Sequence, residues 1–459
     1  MNSKYNLTEG PILQKLVALS MPIMATSFMQ SAHNFVNMFW LSNLGSDYVA
    51  AANLASQFIW LSMSLIMLCR IGTEIGVSQN MGRGLPDAAR KFAQNGFLLS
   101  MVLGAMYTVI LIVFRRSFIA FFGLDDPYTV EIAMHYLSII AISLPFTFAH
   151  FVVTGVYSGC GNTKLPFYIN TGALLLNIIL SPILIFGLNL GITGAGIAMV
   201  TAAVANFIMK VWAMKFYKQR PFEKYTVLVK VAKDKILQIL KWGVPVGVES
   251  MLFTMLFMIV SRLIASDFGT DAVAAHGIGM QIESLAFMAA GGFASALTAF
   301  IGQNYGAKKW ARLRSTFKHA YKAMFIYGLA ITAFLFFLAE PLVLLFFRDD
   351  PLNPAVEIGA NYLRILAMAQ LLFCLESVAV GSFRGRGLTV NPTVVGISSN
   401  VLRVIVTYAL ARGTPLGVTG VWVGIAIAMT VKSVWMLIWH KINVTKMPRL
   451  DEAVVAEAE

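Results

Sequence analysis

Three glutamates stand inside apolar stretches in the second half of the chain: Glu249 in GVPVGVES, Glu283 in GMQIESL and Glu376 in LLFCLES. A carboxylate in hydrocarbon is costly while charged, and a proton or a cation relieves the cost. Such a group can hold an ion or a positively charged ligand and so bias a protein between two states. The plainer role is an ion pair, for which Arg262 and Arg403 are available partners. The first half offers neutral polar groups instead. Gln30, His33 and Asn37 fall on one helical face, and Asn177 and Ser181 are four apart in NIILSP. They can line a cavity or bond neighbouring helices. Arg70 and Glu74, at i,i+4, read as a local salt bridge. Asp271 and His276 fall near the outer mouth and read as interfacial groups.

No paired histidine ligands, P-loop, nucleophile elbow or dinucleotide fingerprint occurs, so neither an enzyme nor a metal or cofactor site is indicated. Cys69, Cys160 and Cys374 sit in or beside apolar runs, with no metal spacing, and read as packing residues.

The elements that must position these groups are membrane helices. The chain has 459 residues, 58% hydrophobic and only 12% charged, and a mean hydropathy of +0.73. A soluble domain cannot cover that much apolar surface with so few charges. Twelve apolar runs of about 20 residues can be counted. The first follows a short polar start and is too long for a signal peptide. Alternating the connections places 26 Lys and Arg on one side, in 1–15, 82–95, 158–166, 210–241, 304–322, 384–388 and 439–459. The other side holds Arg115, Arg116, Arg348 and Arg412. Basic loops stay cytoplasmic, so both termini are expected inside, in an inner (plasma) membrane. A basic chain also suits nucleic acid, but these charges sit at helix ends on one side, so no nucleic-acid partner is expected.

The chain repeats itself. SQNMGRG (78–84) returns as GQNYGAK (302–308), and LGSDYVAAAN (44–53) as FGTDAVAAHG (268–277), each 224 positions on. FFGLDDPY (121–128) parallels FFRDDPLN (346–353), and GVYSGCGNTKLP (155–166) parallels GSFRGRGLTVNP (381–392). The offset of 226 in that region pairs His150 with Glu376. Two six-helix bundles of like orientation follow, related as parallel repeats. The expected parts are an N-lobe over 1–214, a cytoplasmic linker over 215–241, a C-lobe over 242–440 and a cytoplasmic tail over 441–459. VLVKVAKDKILQILK within the linker reads as an amphipathic helix, and the glycine of each QN-x-G word as a tight turn. Pro145 and Pro182 are expected to break the fourth and fifth spans.

The ordered set of words resembles the multidrug and toxic compound extrusion family over about residues 10–440: the two QN-x-G words, the SGCGNTKLP and FRGRGLTVNP loops, and NIILSPILIFGLNLGITGAGIAM. The resemblance implies an all-α polytopic membrane protein, with twelve transmembrane helices in two lobes around a central cavity. It implies alternating access and export of amphipathic organic solutes against protons or sodium. Two acids typical of the family's N-lobe are replaced here, by Asn37 in FVNM and by Ser181. An acid often found in the tenth span is replaced by Phe373, with Glu376 a turn later. Proton coupling through the C-lobe glutamates is therefore expected, in a monomer whose partners are the bilayer, the solute and the coupling ion. Phe253, Met255 and Met258 are candidates for an adaptable apolar lining. The alternative is a flippase for a lipid-linked molecule, of the same superfamily, in which Arg262 and Arg403 would meet an anionic headgroup.

Overall fold

The computed structural model describes residues 6–121, 126–218, 220–223, 225–226, 231–347 and 352–448, without the side chains of 31–35 and 46. Asp125, Arg348, Asp349, Asp350, Pro351, the side chain of His33 and the tail beyond 448 lie outside that description. The described residues form helices joined by turns and loops, with no strand among them. In chain order these are α1 (Ile12–Ser42), α2 (Ser46–Gly82), α3 (Pro86–Val113), α4 (Arg115–Ala120), α5 (Pro127–Ala141), α6 (Leu144–Gly159), α7 (Lys164–Pro182) and α8 (Gly191–Phe216). There follow α9 (Lys233–Gly306), α10 (Trp310–Phe337), α11 (Ala339–Leu344), α12 (Pro354–Gly385), α13 (Val390–Gly413) and α14 (Val418–Thr445).

Ten of these are long and apolar enough to cross a membrane, and α5 with α6, bent by 45°, can form one more crossing. The 74 residues of α9 would reach about 110 Å as one rod, several times a bilayer core of about 30 Å. Gly269 breaks it at φ 76°, ψ −168°, a conformation open only to glycine. Counted as two, it brings the described crossings to twelve. Large apolar side chains face outward, as lipid requires: Trp212 is 56% exposed and Ile326 60%.

The breaks fall where proline or a short polar residue imposes them. Pro145 follows the bend between α5 and α6. After Pro182 the backbone loosens into a π-turn over Ile183–Gly187, in which Leu188 N–H reaches back to Ile183 O (2.9 Å). Asp126 caps α5 ahead of Pro127, accepting from the Thr129 hydroxyl and from the Tyr128 and Thr129 amides. Its counterpart is Asn353 ahead of Pro354, accepting from Ala355 N–H (2.9 Å).

The repeated words adopt one geometry. Asn80 Nδ2 donates to Gly76 O (2.7 Å), and Asn304 Nδ2 to Phe300 O (2.8 Å). Leu85 N–H then closes on Asn80 O and Lys309 N–H on Asn304 O. The glycine of each word, Gly82 or Gly306, is the last helical residue and not the turn. The left-handed residues come two later, at Gly84 (φ 74°) and Lys308 (φ 53°), because a six-residue closure puts its αL position past the helix end.

The chain divides into two compact units, one of Met1–Leu7 with Ala25–Gly247, the other of Thr8–Met24 with Val248–Glu459. The first holds α2–α8 and the opening turns of α9, where Gly243 lies against Leu68 O and Gly72 against Ile239 O. The stretch expected as a separate amphipathic helix is the start of α9 from Lys233, with 227–230 outside the description. Lys210, counted among the loop charges, is instead wholly buried within α8. The helix continues through the apolar Val211–Met214, so the lysine stands inside α8 and not in a loop. The second unit holds the start of α1 with the rest of α9 and α10–α14. There Gly292 packs on Met24, and Lys309 Nζ donates to Thr8 O (3.0 Å).

Candidate functional site

The second unit carries the three glutamates on α9 and α12, with charged partners on α12, α13 and α14. Glu283, on α9, is 2% exposed. It accepts from the Tyr362 hydroxyl (2.6 Å) and from Gln370 Nε2 (2.5 Å), both on α12. These donors lie eight residues apart, two turns of one helix, and so reach the two oxygens of one carboxylate. Tyr362 is fixed by Trp422, edge-on at 4.9 Å. Gly279 lies against the tyrosine ring, where a larger residue would collide.

His276 completes this wall. It is 6% exposed, stacked between Trp422 (5.4 Å) and Phe257 (5.8 Å), with Tyr362 edge-on. The expectation of an interfacial His276 is thus wrong, because α9 turns it inward onto an aromatic cluster. Asp271, from the same stretch, is exposed.

Glu376, on α12, is also 2% exposed. Lys432 on α14 meets its Oε1 at 3.0 Å, and the adjacent Ser433 hydroxyl donates to Oε2 at 2.8 Å. Glu249, on α9, is looser: its nearest cation is Arg384 Nη2, at 4.0 Å, and its buried Oε2 has no hydrogen-bond partner among the described residues. The carboxylate rests on Gly396 of α13, where a methyl group would overlap it. Lys432 interacts electrostatically with both Glu249 and Glu376. Arg403 on α13 does so with Glu283, Glu376 and Tyr362, and its guanidinium lies 5.3 Å over the Phe253 ring. The three carboxylates thus face Lys432, Arg384 and Arg403. Arg262 is exposed and enters no ion pair among the described residues. Phe253, Met255 and Met258 are exposed along α9.

In the first unit the expected polar residues differ in exposure. Gln30 is exposed, and Asn37 is half-buried with an Oδ1 lacking a hydrogen-bond partner among the described residues. Asn177 and Ser181 are buried, with the Ser181 hydroxyl 3.4 Å from Asn177 Oδ1. Arg70 and Glu74 form the i,i+4 pair, at 3.9 Å. The dense polar cluster lies elsewhere. Lys210 Nζ donates to Asn170 Oδ1 (2.7 Å), Thr154 Oγ1 (2.8 Å) and His150 O (3.2 Å), and lies 3.4 Å from His150 Nδ1.

The signals for what was missed are modest. Lys432 stands in an unbroken apolar run, MTVKSVWMLIW, as Lys210 does in NFIMKVWAM. A lone lysine within such a run predicts a buried partner, but not which one.

Comparison with known proteins agrees with the fold. The chain is 26% identical over 440 residues to "Probable multidrug resistance protein YoeA" of Bacillus subtilis, covering 93% of this chain and 94% of the relative. It is 23% identical over 453 residues to "Probable multidrug resistance protein NorM" of Thermotoga maritima, covering 96% of each. Among solved structures, one described as the outward-facing conformation of a multidrug resistance MATE family transporter superposes with a TM-score of 0.91, at 22% identity over 98% of this chain and 99% of that one. The MatE family profile matches residues 22–183 and 245–409, once in each half. Both the profile and the internal repeat therefore divide the sequence in the same way, and the chain belongs to the MatE family, the multidrug and toxic compound extrusion transporters.

Proposed function

We propose that this protein is a proton-coupled antiporter that exports amphipathic organic cations across the inner membrane. Glu283 is its principal exchange site, and Glu249 and Glu376 are auxiliary carboxylates. The observation that carries this reading is the cradle of Glu283: a wholly buried carboxylate held by neutral donors, with no ion-pair partner among the described residues. Tyrosine hydroxyl and glutamine amide can serve both protonation states. Gln370 Oε1 is buried without a hydrogen-bond partner among the described residues. Half a turn of the amide presents that oxygen to a protonated Glu283, in place of the N–H₂ that meets the charged form. Glu376, paired with Lys432, is the less free of the three to exchange its proton. Glu249, 4.0 Å from Arg384 and also in the field of Lys432, lies between them.

The names of the relatives favour drugs and related organic solutes as cargo. The cargo would enter when the glutamates are deprotonated, and the proton would return from outside to release it. Everted membrane vesicles carrying the full chain test this with a fluorescent cationic dye. Uptake should collapse when the pH gradient is dissipated and persist when sodium is withdrawn. Glu283→Gln should lower it by about tenfold or more, equivalent to losing at least ~1.4 kcal/mol at the limiting step. Uptake driven by sodium alone, or indifferent to Glu283→Gln, would refute the assignment.

A further inference from the structure

The buried lysine of the first unit has no place in the mechanism above. Its side chain is wholly buried, and among the described residues no carboxylate lies within ion-pair distance of it. Three neutral oxygens receive its hydrogens, and its remaining neighbour is another base, the imidazole of His150, at 3.4 Å. The oxygens are fixed in turn. Asn206 Nδ2 donates to the same Asn170 Oδ1 (3.1 Å) that Lys210 uses, and Thr154 Oγ1 is itself bonded to His150 O (2.9 Å). This is a built polar site, placed by α6, α7 and α8.

Two cations cannot share that distance inside a membrane protein. Either the ammonium is charged and the imidazole beside it is neutral, or the imidazole is charged and the amine is neutral. The charged groups on adjoining elements do not compensate. Arg70 of α2 interacts electrostatically with Lys210 and adds charge of the same sign, and Glu74 lies on α2 beside it. On α7 the ionisable side chains are the exposed Lys164 and Tyr168, and α8 itself adds the exposed Lys215. Glu131 and His135 of α5 are exposed toward the opposite end of α8, where His135 meets Thr193. A single positive charge here is thus solvated by neutral oxygens alone, which leaves it expensive to bury and ready to leave as a proton.

We propose that His150 and Lys210 form one proton-binding site in the first unit, two bases that hold a single exchangeable proton between them. The repeat sharpens the point. His150 corresponds to Glu376 at the 226-residue offset, and at that offset Lys432 corresponds to Asn206, one turn before Lys210. Each unit therefore sets a titratable group of its fourth span against a lysine of its sixth. In the second unit the acid balances the lysine. In the first, histidine replaces the acid and the balance is lost, so a proton can come and go where the other pair is locked. The site goes beyond the glutamate mechanism, and only its use in transport rests on that reading.

The test reads the pair without transport. The full chain in lipid nanodiscs, labelled with ¹⁵N-histidine and ¹⁵N-lysine, is titrated by NMR from about pH 5 to about pH 9. His150→Gln and Lys210→Met assign the signals by subtraction. The pair is expected to change by one proton across that range and never to carry two charges. In Lys210→Met the His150 proton affinity should change by about tenfold or more, the effect of removing one close charge. If that variant does not fold, the ¹⁵N-lysine signal in His150→Gln carries the same information. A Lys210 charged and a His150 neutral at every pH would overturn the proposal. A titrating pair in a protein whose transport ignores protons would refute the proposed function and keep this site. Proton-driven transport with a pair that never titrates would do the reverse.

Discussion

Removing Lys432 separates the structural part of the carboxylate network from its working part. Glu376 is 2% exposed, with Lys432 at 3.0 Å from one oxygen and Ser433 at 2.8 Å from the other. Lys432→Met keeps the length of the side chain and deletes the charge, so Glu376 loses its ion-pair partner and keeps one hydroxyl. Breaking a buried pair from one side costs about 3–5 kcal/mol. The cost has a ceiling, because the stranded carboxylate can take up a proton. Against a free glutamate near pKa 4.3, that uptake costs about 3.7 kcal/mol at pH 7 and about 1 kcal/mol at pH 5. The variant should therefore be destabilised by about 3–4 kcal/mol at pH 7 and recover most of the loss at pH 5. The double variant Lys432→Met/Glu376→Gln leaves no charge stranded and should lie within about 1 kcal/mol of the wild type, giving a coupling well above 1 kcal/mol. Denaturant unfolding in mixed micelles, followed by Trp fluorescence at both pH values, measures all four proteins. Additive single variants, or a Lys432→Met protein as stable as wild type at pH 7, would refute the idea that this pair is a closed structural bridge.

Other consequences follow from contacts on other helices. Gly396→Ala places a methyl in the space of the Glu249 carboxylate; dye uptake should fall severalfold, and the shorter Glu249→Asp should restore part of it in the double variant. Gly243→Ala drives a methyl into the Leu68 carbonyl and should destabilise the first unit by about 1–3 kcal/mol, seen as a lowered unfolding midpoint with no change in ion preference. The Thr129 hydroxyl and amide hold the exposed Asp126 below the usual carboxylate range. Its capping contribution is thus present above the unfolded-state value and lost as the pH falls through the lower folded one. Amide exchange at the start of α5, corrected for intrinsic rate, should rise on acidification in the wild type and be fast at all pH in Asp126→Ala.

Much of this architecture is visible in the sequence because lipid imposes a simple rule. A spanning helix must be predominantly apolar along its length, and the interruptions at Pro145, Pro182 and the QN-x-G words fall at real breaks. The repeat is legible because the two QN-x-G words close their helices alike, at Asn80 and Asn304, 224 positions apart. Side-chain partners are less legible. Glu376 was open to Arg262 or Arg403, yet it meets Lys432, because helical phase over two turns decides which face a residue presents and a few degrees change the neighbour. Lys210 was read as a loop charge because a long basic stretch follows it, and only the depth of α8 shows otherwise. His276 was placed near the outer mouth together with Asp271, and the sequence position says nothing about the aromatic rings that enclose it. Tyr362 and Gln370, the donors to Glu283, carry no signal of their own in a chain with this many polar residues inside its helices.

The most direct measurement counts protons against cargo in proteoliposomes, with a pH dye inside and a cationic fluorescent substrate outside. The account predicts that cargo entering down its gradient drives protons outward in the wild type, and that Glu283→Gln breaks this link while the protein remains folded. Cargo movement with no accompanying protons, or with proton movement intact in Glu283→Gln, would contradict it.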